Sequence, residues 1–523
     1  MMHDMWLASV ANRLAAAPIW SIPLTSGWLP ATIIGVALAG VGILAVASIW
    51  NDARNREHDI AEQIAAHNDS LRDQHELIQE QLAEHAKERI NAEDNLHRMV
   101  RIPRTIWLVV GAIIGLIVGY IGAWLVSDVF VVFGVGLGDK VIWSVALGFA
   151  ALGATIAALA ALHGWRRVLA ACLTPVVVLA AAVAVNLQYG EYTTLGSVFG
   201  ISTYQQLQRG TASRSTTSVE RWLCGLTDAQ RQAIPAHGSV QSAAIPATKS
   251  GFKARDAMVY LPPAALVDNP PALPVFIMMS GQPGSPERAF QASGLADLFD
   301  AYAASHDGLA PIVVSPDQLG DETHNTLCAD TPVYGNAETY LTQDVTDWIL
   351  DTLPADADAR QWAIGGFSQG GTCSVQLGVR HPERYGTMMP FASELGPHNG
   401  SEQSMIERFF QGDRAAYESQ VPLLAMKQRG KSDQMMLMSA GENDTDSIAS
   451  MKRLAAGAKA IGMDVHMLEV PGTSHDWHAV HAAMNAELDT LCKRLGLSDR
   501  ARPISQFEDV RVLPVNEDKE RMQ

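Results

Sequence analysis

The chain has 523 residues, 48% of them hydrophobic and 18% charged, with a net charge of −17 and a mean hydropathy of +0.06. That balance excludes bulk disorder, a collagen-like repeat and a small disulfide scaffold. The charge is uneven: residues 1–203 hold 12 basic and 16 acidic side chains, while residues 204–523 hold 26 and 39, a net of −13, which argues against nucleic acid as a partner because phosphates need clustered Lys and Arg.

Four apolar stretches come first: Ala31 to Trp50, Thr105 to Ser127, Val141 to Leu162 and Val168 to Leu187. Each approaches the roughly 20 residues that a helix needs to cross hydrocarbon. Their Gly and Ala content suits close helix contact in a bilayer. Residues 1–202 therefore read as a membrane region with four transmembrane helices. No cleavable signal peptide is expected, since Asp4 and Arg13 interrupt any early apolar run. The loop between the first two spans carries Arg54, Arg56, Arg72, Lys87, Arg89, Arg98, Arg101 and Arg104, and the loop before the fourth carries Arg166 and Arg167. Basic loops stay in the cytoplasm. Four spans then leave both termini outside, so the large C-terminal region is expected on the extracytoplasmic face. Within the 51–104 loop, Ile60, Ile64, Leu71, Ile78 and Leu82 form a narrow stripe. His67, Gln74, Gln81 and His85 occupy the second row of a coiled coil, so a solvated helical hairpin or rod is expected. The third and fourth spans hold no ionisable residue apart from a marginal His163, which favours an anchor over a transporter.

Residues 203–218 are polar and rich in Ser and Thr, and suit a stalk. Residues 219–498 alternate strand-like and helix-like runs. Strands are expected at 239–245, 257–261, 275–280, 310–316, 361–365, 385–391, 435–439 and 465–470. Helices are expected at 289–305, 337–353, 369–380, 447–461 and 476–495. That alternation predicts an α/β domain with a mostly parallel sheet covered on both faces. Residues 499–523 read as a polar tail.

The sharpest motif is Gly366-Phe367-Ser368-Gln369-Gly370, followed by Gly371. It lies between a strand and a helix, the setting of a nucleophile elbow. A serine needs a base that is oriented by a third group. His475, in Pro471-Gly472-Thr473-Ser474-His475-Asp476-Trp477, follows a strand and precedes a helix, so it should reach the same sheet edge. The acid belongs in Gly441-Glu442-Asn443-Asp444-Thr445-Asp446, where Asp444 is preferred and Glu442 and Asp446 are alternatives. Two N–H donors must bind the oxyanion. They are expected from Gln369 and Gln282, since Pro283 has no N–H. Cys328 and Cys373 should both lie near this edge, and a disulfide between them is expected, with free buried thiols as the alternative. No metal site is expected, because His475, His478 and His481 lack a companion Cys or Glu set.

The segments VFIMMSGQPGSPERAF, GNAETYLTQDV, GGFSQGGTCSVQLGVRHPERYGTMMPFASELGP and PGTSHDW resemble the α/β-hydrolase esterase family. That family includes S-formylglutathione hydrolases of the esterase D type, feruloyl esterases and mycobacterial mycolyltransferases. The resemblance covers about residues 240–495. It implies an α/β-hydrolase fold with Ser368 as nucleophile, Asp444 as acid and His475 as base, and no cofactor. The four-span region resembles membrane-anchored esterase-family proteins of actinobacteria. The expected function is hydrolysis of a carboxylic ester, with a lipid or envelope component as one candidate substrate. Acyl transfer to a sugar or lipid hydroxyl and a catalytically silent envelope scaffold are the alternatives. The sequence leaves the oligomeric state open.

Overall fold

The computed structural model describes residues 18–76, 103–130, 132, 136–208 and 214–515, without side chains for 66–76. Residues 77–102 of the 51–104 loop, with Ile78, Leu82, Gln81 and His85 of the expected rod, lie outside the described residues. The chain forms two compact units, Ser26–Gly134 with Asp139–Gln188, and Met1–Thr25 with Val135–Gly138 and Tyr189–Gln523.

The first unit is helical. Its helices are α1 (Trp28–Glu76), α2 (Arg104–Trp124), α3 (Asp139–Ala161) and α4 (Trp165–Tyr189). All four are long and apolar enough to cross a membrane. Helix α1 runs unbroken from its apolar half into the polar sequence after Trp50. A Cβ added at Gly111 would lie 2.5 Å from Gly153 O, so α2 and α3 meet backbone to backbone. Ile113, Ile117, Leu147 and Val178 stay exposed along these helices, a surface that only lipid or another apolar face would cover.

The second unit carries the sheet. Its strands are β1 (Ser239–Ala243), β2 (Ala257–Leu261), β3 (Val275–Met279), β4 (Ile312–Ser315), β5 (Asp330–Thr331), β6 (Gly335–Asn336), β7 (Trp362–Phe367), β8 (Thr387–Phe391), β9 (Met435–Gly441), β10 (Asp464–Val470) and β11 (Arg511–Val512). Nine of them form one sheet in the order β1-β2-β4-β3-β7-β8-β9-β10-β11. The run β4-β3-β7-β8-β9-β10 is parallel, and the flanking strands are antiparallel. The other two strands, β5 and β6, pair as a short hairpin. Every residue of β3 and β7 is buried, as continuous apolar runs covered on both faces require. The register Met279↔Gly366 and Phe367↔Phe391 brings the ends of β3, β7 and β8 level at one edge. The helices that frame this edge are α5 (Pro286–Ser293), α6 (Gln369–Arg380), α7 (Thr445–Ala460) and α8 (Trp477–Arg494).

Several expectations differ in detail. The helix expected over 289–305 is two helices, broken at Gly294. The start of the segment expected as a stalk is docked: Gln206 bridges Ser242 of β1, and Tyr204 and Leu207 pack on the core. Part of the expected tail also packs, because β11 pairs with β10 through Leu468↔Val512. Sparse apolar residues in polar surroundings anchor both segments. Residues 402–429 form three short helices, Glu402–Phe409, Arg414–Gln420 and Pro422–Arg429. Met405, Ile406 and Phe409 from the first of them build a small core with Leu327 and Tyr417.

Candidate active site

Strand β7 ends at Phe367 and α6 begins at Gln369, so Ser368 alone makes the turn. Its backbone lies at φ 58 and ψ −116, a region that L-residues avoid. Three bonds fix it there. Ser368 N donates to Phe391 O at 2.9 Å, while Thr372 N (2.9 Å) and Thr372 Oγ1 (3.1 Å) donate to Ser368 O. A Cβ at Gly370 would sit 2.4 Å from Ser280 O, so only glycine lets α6 close against the loop after β3.

His475 lies between β10 and α8. Asp476 caps α8, accepting from Ala479 N at 3.0 Å and from Ser474 N at 2.7 Å, which fixes the turn around the histidine. The His475 ring packs on Phe367, with centroids 4.8 Å apart. Its Nδ1 stands 2.6 Å from Asp444 Oδ2, and both side chains are buried. Nε2 is buried and unpaired; no hydrogen bond joins it to Ser368 Oγ in this structure.

The three acids near β9 have different surroundings. Asp444 caps α7, accepting from Ser447 N at 3.3 Å, and its other oxygen meets His475. Glu442 accepts from Gly472 N at 2.8 Å and from Arg511 Nη1 at 2.9 Å, and these bonds hold its carboxyl below the usual range. Asp446 is exposed in the first turn of α7.

Of the two expected oxyanion donors, Gln369 directly follows Ser368, and Gln282 follows Gly281 in the loop after β3. Gln369 N opens α6 and has no acceptor within the helix. The loop at Gly281 and Gln282 lies against the serine, since a Cβ at Gly281 would be 3.4 Å from Ser368 Cβ. A residue that sequence reasoning missed ties these loops together. Gln318, fully buried, donates from Nε2 to Ser280 O at 2.6 Å and to Gln369 Oε1 at 3.1 Å. It follows β4 with no motif to mark it. The sulfurs of Cys328 and Cys373 are 2.00 Å apart, with Cα atoms at 5.7 Å, fastening the loop after β4 to α6.

A second polar cluster borders the histidine. Trp477 packs on Phe367 at 4.7 Å and donates from Nε1 to Glu191. Arg288 donates to Tyr192 Oη at 2.9 Å and to Glu322 Oε2 at 2.7 Å. Burial raises the Glu191 carboxyl above its usual range, opposed by the Trp477 bond and the Arg288 charge. Glu394, after β8, is pushed up to about 7 by burial, with His475 pulling the other way. Among the described residues, the one group of side chains close enough to share a metal ion is His58, Asp59 and Glu62, all exposed on α1.

Residues 252–491 match a family model described as "Putative esterase". An uncharacterized protein of Corynebacterium glutamicum is 30% identical over 404 residues, which cover 75% of this chain and 91% of that protein. An S-formylglutathione hydrolase from Agrobacterium tumefaciens is 19% identical, with 50% of this chain and 97% of that one aligned at a TM-score of 0.42. MPT51 of Mycobacterium tuberculosis is 14% identical, with 48% and 96% aligned at a TM-score of 0.37.

Proposed function

The chain belongs to the esterase family, and on that premise we propose that it is a membrane-anchored, extracytoplasmic serine esterase. The observation that carries this reading is the buried 2.6 Å contact of Asp444 with His475 Nδ1, which leaves Nε2 unpaired on a ring packed against Phe367, the residue before a serine held at positive φ. In the mechanism, Ser368 Oγ attacks the ester carbonyl and His475 Nε2 takes its proton. Asp444 orients the ring and stabilises the imidazolium. Gln369 N–H and Gln282 N–H receive the charge that develops on the carbonyl oxygen. The tetrahedral adduct collapses, His475 returns the proton to the leaving alcohol, and an acyl-Ser368 remains. Water, deprotonated by His475, then releases the acid.

The test is covalent labelling with a fluorophosphonate probe. Wild type is expected to label, and Ser368→Ala is not. An unlabelled wild type that is folded would overturn the assignment. Product analysis reads the second step: free acid supports hydrolysis, and an acylated sugar or lipid hydroxyl in its place moves the reading to acyl transfer.

The compartment rests on the Arg-bearing loops and on the Cys328–Cys373 bond, which suits an oxidising environment. Cys224 is exposed and reports on it. A membrane-impermeant maleimide should label intact cells at Cys224, and Cys224→Ser should abolish that label. Labelling only after lysis would place the domain inside.

A further inference from the structure

One feature of the helical unit is unused by the hydrolase chemistry. Ala39, Gly42, Ile43, Val46, Ala47 and Trp50 line a groove of about 460 Å³. They recur at i, i+3, i+4, i+7, i+8 and i+11, so they share one face of α1. The size falls within the about 300–1,000 Å³ of ordinary small-molecule sites. From Ala39 to Trp50 the helix rises ~16 Å, about half the ~30 Å hydrocarbon thickness. The groove therefore matches one leaflet in depth.

Its end is polar. Trp165 and Arg166, which open α4, complete the lining. Arg166 Nη1 donates to Asn51 Oδ1 at 2.6 Å. Arg166 Nε and Asn51 Nδ2 are buried without partners. Asp52, the residue after Asn51, is engaged elsewhere: it accepts from Arg104 N at 3.2 Å and Thr105 N at 2.9 Å. Among the described residues Arg166 forms no ion pair, and a half-buried arginine of that kind favours an anion, a phosphate best of all. The Trp50 and Trp165 rings, 78% and 62% exposed, are the residue type that settles at headgroup level.

We propose that the groove between α1 and α4 holds one phospholipid, its phosphate on Arg166 and one acyl chain along the Ala39–Ala47 face. The proposal does not depend on the chemistry at Ser368. It rests on α1–α4 crossing a membrane, as in the reading above.

The test uses the full chain in detergent, with native mass spectrometry to count retained lipid. The probes are dioleoylphosphatidylglycerol, dioleoylglycerol with the same tails and no phosphate, and inorganic phosphate with no tail. Wild type should retain the phospholipid about tenfold better than dioleoylglycerol, a difference of about 1.4 kcal/mol, and inorganic phosphate should not displace it. Arg166→Gln removes the head contact. Gly42→Leu puts a side chain into the groove, and its Cβ meets nothing within 4 Å. Both variants should lose the phospholipid while melting like wild type. Equal retention of the two lipids, displacement by phosphate alone, or full retention by Gly42→Leu overturns the proposal. Carbonate extraction of membranes checks the premise separately: a chain that washes off refutes the spanning reading, and one that stays but retains no lipid refutes the groove alone.

Discussion

Asp444→Asn is the sharpest probe of the proposed mechanism. In the native site Nδ1 of His475 donates to Asp444 Oδ2 at 2.6 Å, and Oδ1 accepts from Ser447 N at 3.3 Å. An asparagine keeps the helix cap, because Asn and Asp are equally good there. Its amide oxygen would face Ser447 and its NH2 would face the imidazole. Nδ1 must then accept, so the ring proton moves to Nε2, and that nitrogen can no longer take the serine proton. The expected loss is about 10³–10⁴ in kcat, or ~4–5.5 kcal/mol of barrier. KM and melting temperature should barely move. The assay is hydrolysis of a p-nitrophenyl ester by the full chain in detergent, with a thermal melt on the same sample. Glu442→Gln and Asp446→Asn serve as companions and should keep activity, since Glu442 bonds Gly472 and Arg511 and Asp446 is exposed. Near-native turnover by Asp444→Asn, or a collapse in either companion, would refute the assignment.

Replacing both bridged cysteines by serine opens a loop with a sequence separation of 45, and a chain-entropy estimate gives a loss of about 4 kcal/mol. Melting under reducing conditions should fall in the same way, and unchanged melting would show that the bridge does not stabilise the fold. The raised carboxyl of Glu394, about 7 against an ordinary 4.5, predicts a pH slope of the opposite sign to a salt-bridged acid. The folded state holds this proton longer than the unfolded chain, so the contribution of Glu394 to stability is full below about 4.5 and is lost as pH rises to about 7. Solvent screening of the partly exposed side chain reduces the effect. Glu394→Gln should flatten melting temperature against pH in that window, and an unaltered profile would contradict the shift.

The alternation of strands and helices was legible because period and apolar run length report burial directly. The elbow was legible because its glycines answer to steric contacts, as Gly370 against Ser280 O illustrates. For the proposed acid the sequence favoured Asp444 but left Glu442 and Asp446 as alternatives, since spacing says nothing about which carboxylate is buried against His475. Gln318 was invisible: its role depends on meeting Ser280 and Gln369, and no local pattern records a long-range bond. The same holds for Trp477 and Glu191, 286 residues apart in sequence. The segments expected as stalk and tail misled for a related reason. A few side chains such as Tyr204 and Leu513 suffice to dock an otherwise polar strand.

The backbone at residue 368 has a consequence for how this protein trades folding against chemistry. A serine at φ 58 and ψ −116 carries a conformational penalty of about 1–3 kcal/mol. Glycine would adopt the same angles with less strain. Ser368→Gly should therefore be inert yet fold at least as well as wild type, whereas Ser368→Ala should be inert and retain the strain. A position where the inactive residue is the better-folding one identifies the hydroxyl, and not the architecture, as the reason for a serine there.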